Sequence, residues 1–211
     1  MDALGALAIN YMLAVHRAAF SSGRHAMKFL LVYGTTEGHT RKIAPFVANH
    51  LAQQGQETQM TDAVDATASA EPRDFDAVII AASLHAGHYQ SAVIHFVREH
   101  LAAIGARPNA FLSVSLAAAS DDADDVRGLE RCVSAFAHQT GWTPLRLHHV
   151  AGAFRYTSYD FMKRWAMKYI AYRKGGPTDT SRDHELTDWA DLAQFVDAFM
   201  RESASVRSTV S

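Results

Sequence analysis

The residues able to do chemistry gather in three short runs of small, hydroxyl and histidine side chains, each placed directly after an apolar stretch. The first is Tyr33-Gly34-Thr35-Thr36-Glu37-Gly38-His39-Thr40. Between a strand end and a helix start, backbone N–H groups lack intrahelical partners, and the helix terminus carries partial positive charge. Thr35, Thr36, Glu37, Gly38, His39 and Thr40 are therefore a candidate cradle for a phosphate, held by amides and threonine hydroxyls without any Lys or Arg. Gly34 and Gly38 allow the close turn and the close approach to an anion. A triphosphate loop would need Gly-Lys-Ser/Thr and a dinucleotide fingerprint Gly-x-Gly-x-x-Gly, and neither is present. A phospho-receiver site would need clustered Asp, which Tyr33-Gly34-Thr35 does not supply. The plainer alternative is a turn in which Thr35, Thr36 and Thr40 only cap a helix.

The second run is Ser83-Leu84-His85-Ala86-Gly87-His88-Tyr89 and the third is Ser115-Leu116-Ala117. A planar ring held beyond these strand ends needs a flat contact and hydrogen bonds along its edge. Ser83, Leu84, His85, Gly87, His88 and Tyr89 offer both, and Ser115 to Ala117 are small enough to let backbone reach the opposite edge. His88 is the candidate for moving a proton. His85-x-x-His88 has no third ligand in view, so no metal is expected. His95, His100, His148 and His149 read as structural, and Asp121, Asp122, Asp124 and Asp125 as a solvated loop opening a helix.

These runs need strands and helices to position them. Residues 28–33 form an apolar strand, and residues 41–54 place Ile43, Phe46, Val47, Ala48 and Leu51 on one helical stripe. Weaker or stronger strands follow at 57–61, 75–82, 109–116 and 146–153. Helices are expected at 91–103, 126–138 and 187–201, the last capped by Thr187. Strand alternating with helix means right-handed βαβ units, and five strands favour a doubly wound parallel sheet in order 2-1-3-4-5. In such a sheet ligands bind beyond the strand carboxyl ends at the switch point, where the three runs lie.

Composition narrows the function further. The 211 residues are 48% hydrophobic and 20% charged, which excludes a disordered chain and suits one domain. With 20 Lys plus Arg against 22 Asp plus Glu, a formal charge of −2 argues against a nucleic-acid binder. A single cysteine, Cys132, excludes a disulfide framework and points to a reducing, cytoplasmic setting. Residues 1–26 hold an apolar run of about 13 residues, short of the roughly 20 that span a bilayer. They read as an extension, with Met27 a plausible alternative start, and residues 204–211 as a flexible tail.

Between the fifth strand and the last helix lies a segment too long for a plain connection. Residues 154–176 carry Arg155, Lys163, Arg164, Lys168, Arg173 and Lys174 against the single acid Asp160, a net of +5 that leaves −7 for the remainder. Phe161, Trp165, Tyr169 and Tyr172 recur at helical spacing. A basic aromatic helix suits an anionic membrane surface or an anionic aromatic substrate, with Arg155, Tyr156, Lys163, Arg164, Trp165 and Lys168 the contact residues. The alternative is a helix that packs its aromatic face on the domain while its charges reach water.

Leu31-Val32-Tyr33, Thr35, Gly38, Thr40, Ala44 and Val47 together match the flavodoxin signature, so this region resembles the FMN-phosphate loop of that family. Gly87-His88-Tyr89, Ser91-Ala92, Phe96-Val97, Ser113-Val114, Ala151-Gly152-Ala153, Arg155-Tyr156, Gly175-Gly176, Thr178-Asp179-Thr180 and Thr187-Asp188-Trp189 are similar in order and spacing to the menaquinone-dependent protoporphyrinogen dehydrogenases. The likeness runs over residues 27–201. It implies a flavodoxin-like domain over 27–203 with an insert at 157–174, FMN as cofactor, porphyrinogen as substrate and a quinone as acceptor. It further implies peripheral contact with the cytoplasmic face of the inner membrane, and allows a homo-oligomer. Where the family's best-known members have Arg-Tyr before Gly-His-Tyr, this chain has His85-Ala86, which alters the contacts at the flavin edge. The rival readings are a flavodoxin-type electron carrier docking through the basic insert, and a non-redox module with an empty loop.

Overall fold

The computed structural model describes residues 26–36, 38–120, 122–154 and 184–210. Five strands, β1 (Lys28–Gly34), β2 (Glu57–Asp62), β3 (Ala77–Ser83), β4 (Asn109–Ser115) and β5 (Arg146–Ala151), form one sheet in order β2-β1-β3-β4-β5. Every neighbouring pair is parallel. The helices are α1 (Thr40–Gln53), α2 (Ala63–Ser69), α3 (Ser91–Glu99), α4 (Leu101–Gly105), α5 (Ala123–Thr140) and α6 (Trp189–Val210). The doubly wound α/β architecture anticipated from the alternation of strands and helices is the one observed.

Strand side chains alternate between two cores, as the two-residue period requires. Phe29, Leu31, Ile79, Ala81, Leu112 and Val114 face α1 and α6, meeting Ile43, Val47, Leu51, Leu192, Val196 and Phe199. Leu30, Val32, Val78, Ile80 and Phe111 face the other way, meeting Val93, Phe96, Val97 and Phe136. The central strands are thus covered on both faces, which is why β1, β3 and β4 read as unbroken apolar runs. At roughly 1.5–3 kcal/mol per large side chain, these two layers supply the main driving force for folding.

Several boundaries differ from expectation, each for a local reason. Strand β3 begins at Ala77, because Pro72–Asp74 forms a 3-10 turn and Asp76 accepts a hydrogen bond from the Lys28 N–H (2.8 Å). The helix expected over 91–103 breaks at His100 into α3 and α4. The fifth strand stops at Ala151, and Ala153–Phe154 (β6) instead pairs antiparallel with His184–Glu185 (β7). Thr187 is not the cap of the last helix; Asp188 takes that role, its Oδ1 accepting from the N–H groups of Ala190 and Asp191 (3.0 Å each). Helix α6 continues to Val210, with Arg207 reaching Asp76 at 3.2 Å. Asp122 caps α5 by accepting from the Asp124 N–H (2.8 Å), in keeping with the acidic opening read there. The insert 157–174, with Arg155, Tyr156, Lys163, Arg164, Trp165 and Lys168, lies outside the described residues, as do Glu37 and residues 1–25. Among the described residues, no helix is long and apolar enough to cross a membrane.

Candidate functional site

Because β1, β3 and β4 are adjacent and parallel, their carboxyl ends deliver the three chemistry-bearing runs to one edge of the sheet. Gly34 closes β1 against the start of α3. A Cβ there would stand 2.4 Å from Val93 Cγ2, so only glycine permits this approach. The chain then turns through Gly38, whose φ of +86° lies in the left-handed region that favours glycine. The Gly38 N–H donates to Thr35 Oγ1 (2.9 Å), folding the loop back on itself. His39 occupies the cap position of α1 but makes no side-chain cap, and the first turn holds no acidic residue. Fourteen residues of helix therefore direct their positive end at this loop without an internal carboxylate to neutralise it. The Thr40 side chain is fully buried, and its Oγ1 has no hydrogen-bond partner. An orphaned hydroxyl costs free energy unless a ligand satisfies it.

Gly152 and Thr187, which flank the neck formed by β6 and β7, approach the same loop. His39 Nε2 lies 2.9 Å from Thr187 Oγ1, and the Thr187 hydroxyl donates to the Ala151 carbonyl (2.7 Å). That hydroxyl has a single hydrogen, so His39 Nε2 is the donor to Thr187 and the imidazole tautomer is set. The Gly152 N–H donates to the Ser115 carbonyl (2.9 Å), joining the neck to the end of β4. Beyond Ser115 a short turn, Ala117–Ala119, follows, with Ser115 Oγ accepting from the Ala118 N–H (3.1 Å). Leu116 and Ala117 remain half-buried at this rim.

After β3, His85 and His88 exchange two backbone hydrogen bonds of 2.9 Å, making a two-residue hairpin whose tip is Ala86-Gly87. Both tip residues have positive φ, 49° at Ala86 and 83° at Gly87, the primed turn geometry that matches strand twist. His85, Gly87 and His88 are exposed at the site edge, and Ser83 and Leu84 are half-buried beneath them. Tyr89 is placed differently. It is a core residue, only 6% exposed, with its ring edge-on to Phe111 and Phe136 and its hydroxyl 2.8 Å from Ser113 Oγ. Burial pushes the Tyr89 phenol up to about 12, outweighing the opposing hydrogen bond from Ser113. A ring-edge contact was expected of this residue; its ring belongs instead to the second core.

The residues brought together are therefore Thr35, Thr36, Gly38, His39 and Thr40 at the cradle, Ser83 to His88 on one rim and Ser115 to Ala117 on the other. Gln90, Thr187 and Gly152 also belong to this edge, and the sequence reading gave none of them a place in the site. The only signal for Gln90 was its place directly after Gly-His-Tyr, and Thr187 was masked by its plausibility as a helix cap. The remaining histidines stay structural: His148 stacks on Phe195 and lies 3.3 Å from Asp191, and His95 pairs with Glu99. Among the described residues there is no group of three or more His, Cys, Asp or Glu able to hold a metal ion.

A family model described as a flavodoxin domain matches residues 30–181. Protoporphyrinogen IX dehydrogenase (quinone) of Escherichia coli K12 is 34% identical over 169 residues, covering 80% of this chain and 92% of that protein. The protein of the same name from Leishmania major is 32% identical over 173 residues, covering 82% of this chain and 74% of that one. A solved oxidised flavodoxin 1 from Bacillus cereus superposes with a TM-score of 0.49 at 14% identity, covering 82% of this chain and 97% of that one. With the domain matched over most of its length and relatives at this identity covering four-fifths of it, the chain belongs to the flavodoxin-domain family.

Proposed function

We propose that this chain is an FMN-dependent oxidoreductase that oxidises protoporphyrinogen IX to protoporphyrin IX and passes the electrons to a quinone. The observation that carries the reading is the cradle after β1, where a helix terminus with no acidic residue in its first turn meets the buried, unpartnered Thr40 hydroxyl. Those features fit a phosphate monoester: the hydroxyl lacks a partner, and the space beside Gly38 is open, with nothing within 4 Å of where a Cβ would stand. Thr35, Thr36, Gly38, His39 and Thr40 would hold the phosphate of FMN, with Glu37 completing the loop. Ser83, Leu84, His85, Gly87 and His88 would border one edge of its ring, and Ser115, Leu116 and Ala117 the other. When bound, FMN supplies the electron-transfer chemistry, and the protein's part is to bind, orient and expose it.

His88 is suited to accept a proton from substrate, since its backbone is fixed by the hairpin while its side chain reaches solvent. Arg155, Lys163, Arg164 and Lys168, with Tyr156 and Trp165, would receive substrate carboxylates or anionic lipid headgroups. The relatives' names support the choice of porphyrinogen and quinone over other redox partners. The test is to reconstitute the purified protein with FMN, record its visible spectrum, and assay porphyrinogen oxidation with and without a menaquinone analogue. Flavin absorbance with quinone-dependent turnover is the expected result. Bound flavin without turnover would make the chain an electron carrier, and no flavin at all would overturn the cofactor reading.

A further inference from the structure

Gln90 occupies the cap position of α3, yet its side chain makes no capping bond to its own helix. It reaches instead across the site. Its Nε2 donates to Thr36 Oγ1 at 2.8 Å, to the Ser83 carbonyl at 2.8 Å and to Ser83 Oγ at 2.7 Å. Two amide hydrogens are thus shared among three acceptors. Ser83 Oγ also accepts from the Thr36 N–H at 3.2 Å, which closes a junction of five polar atoms between the two loops. The other end of the amide is confined. Gln90 Oε1 is buried without a donor, and a Cβ on Gly34 would stand 3.1 Å from it, so the amide lies against the very end of β1. One residue earlier, Tyr89 is locked into the core on Ser113, so the backbone from which Gln90 projects has little freedom. A neighbour 54 positions away in sequence is therefore held by one side chain, and that neighbour is a hydroxyl of the anion cradle.

We infer that Gln90 is the positioning residue that fixes the Thr36 hydroxyl in the phosphate cradle and couples the cradle to the end of β3. The inference rests on the FMN reading above, and deepens it by naming what sets the geometry of its phosphate site. A donor is required at this position. Methionine matches the length of glutamine but takes the amide donor away from Thr36 Oγ1 and the Ser83 oxygens, and glutamate adds a negative charge beside the bound anion.

The test compares FMN with riboflavin, which lacks the phosphate, by fluorescence titration of the full chain. In Gln90→Met, FMN affinity is expected to fall about tenfold while riboflavin affinity changes less than about twofold. In Gln90→Glu the selective loss of FMN is expected to be larger, and to shrink as salt is raised. A double-mutant cycle of Gln90→Met with Thr36→Val is expected to be non-additive, the pair costing little more than the costlier single change. Where Gln90→Met does not fold, Gln90→Asn, which keeps the amide but falls one methylene short, carries the same comparison. Equal losses for FMN and riboflavin, no loss of either, or an additive cycle would each overturn the assignment. Wild-type protein that binds neither flavin would overturn the FMN reading itself, an outcome distinct from any of these.

Discussion

The site depends on residues whose neighbours leave no room for alternatives. Gly34 is the sharpest case, because the clash distance of 2.4 Å to Val93 Cγ2 is shorter than real Cβ contacts allow. Gly34→Ala must push α3 away or distort the loop, and overpacking of this kind costs roughly 1–3 kcal/mol. Urea titration should show that loss, and FMN affinity should fall with it, because the displaced helix carries Gln90. Tyr89 makes a separate prediction through its raised pKa. The folded state holds the phenolic proton more tightly than the unfolded chain, whose tyrosine titrates near 10. The stability this contributes is complete below pH 10 and is lost as pH rises through about 12, on the order of 3 kcal/mol in all. Tyr89→Phe should remove the alkaline slope in denaturation experiments between pH 9.5 and 11.5, values chosen around that window. A slope that persists unchanged would assign it to other groups. Tyr89 also marks a limit of sequence reading. Aromatic residues serve a core and a ligand ring with the same chemistry, so its place beside two loop histidines suggested the rim, while its packing partners Phe111 and Phe136 are distant in sequence.

At the level of elements, the edge strand β5 and helix α6 are joined by groups that respond to acid. His148 stacks on Phe195 with ring centroids 4.6 Å apart and faces Asp191 across the interface. Burial lowers its pKa below the ordinary histidine value, more than Asp191 raises it. His149, on the opposite face of β5, is lowered by burial and by His148, against the pull of Glu130. Each group is neutral in the fold and must be charged at a cost, so the stability they confer is present above about pH 6.5 and is lost as pH falls below it. Urea midpoints should decline between pH 7 and 5.5, and His148→Gln should flatten part of that decline. An unchanged profile would show that the acid sensitivity arises elsewhere. Nearby, the neck of β6 and β7 was invisible in sequence, since two residues per strand carry no period, and Ala153 simply extended the apolar run of β5. Helix α6 was drawn too short for a related reason. Its serines suggested a frayed tail, yet Ser203, Ser205 and Ser208 each return a hydroxyl hydrogen bond to a carbonyl of the same helix.

For the whole molecule, the legible part was what hydrophobic periodicity governs: five strands, their helices, the sheet order and hence the edge at which ligands bind. Tertiary junctions such as Gln90 with Thr36, or His39 with Thr187, were not legible, because they join polar residues of ordinary type across 54 and 148 positions. Charge is the other large-scale property that sequence does carry. The segment 154–176 holds a net +5 in a chain of formal charge −2, so the remaining residues are acidic and would be repelled by an anionic surface. On the proposed reading, a membrane-bound substrate or quinone would therefore favour approach through the basic segment, and long-range attraction of this sort weakens as the Debye length falls to about 8 Å at physiological salt. Changing Lys163, Arg164 and Lys168 to Glu turns that net charge from +5 to −1 and leaves every residue of the cradle, the hairpin and the neck as it is. FMN affinity and the visible spectrum should stay as in the wild type. Flotation with vesicles rich in phosphatidylserine should be lost, and the KM for porphyrinogen should rise more than kcat falls. If the triple variant floats and turns over like the wild type, the segment neither docks the membrane nor gathers the substrate, and its charge must serve a contact within the protein itself.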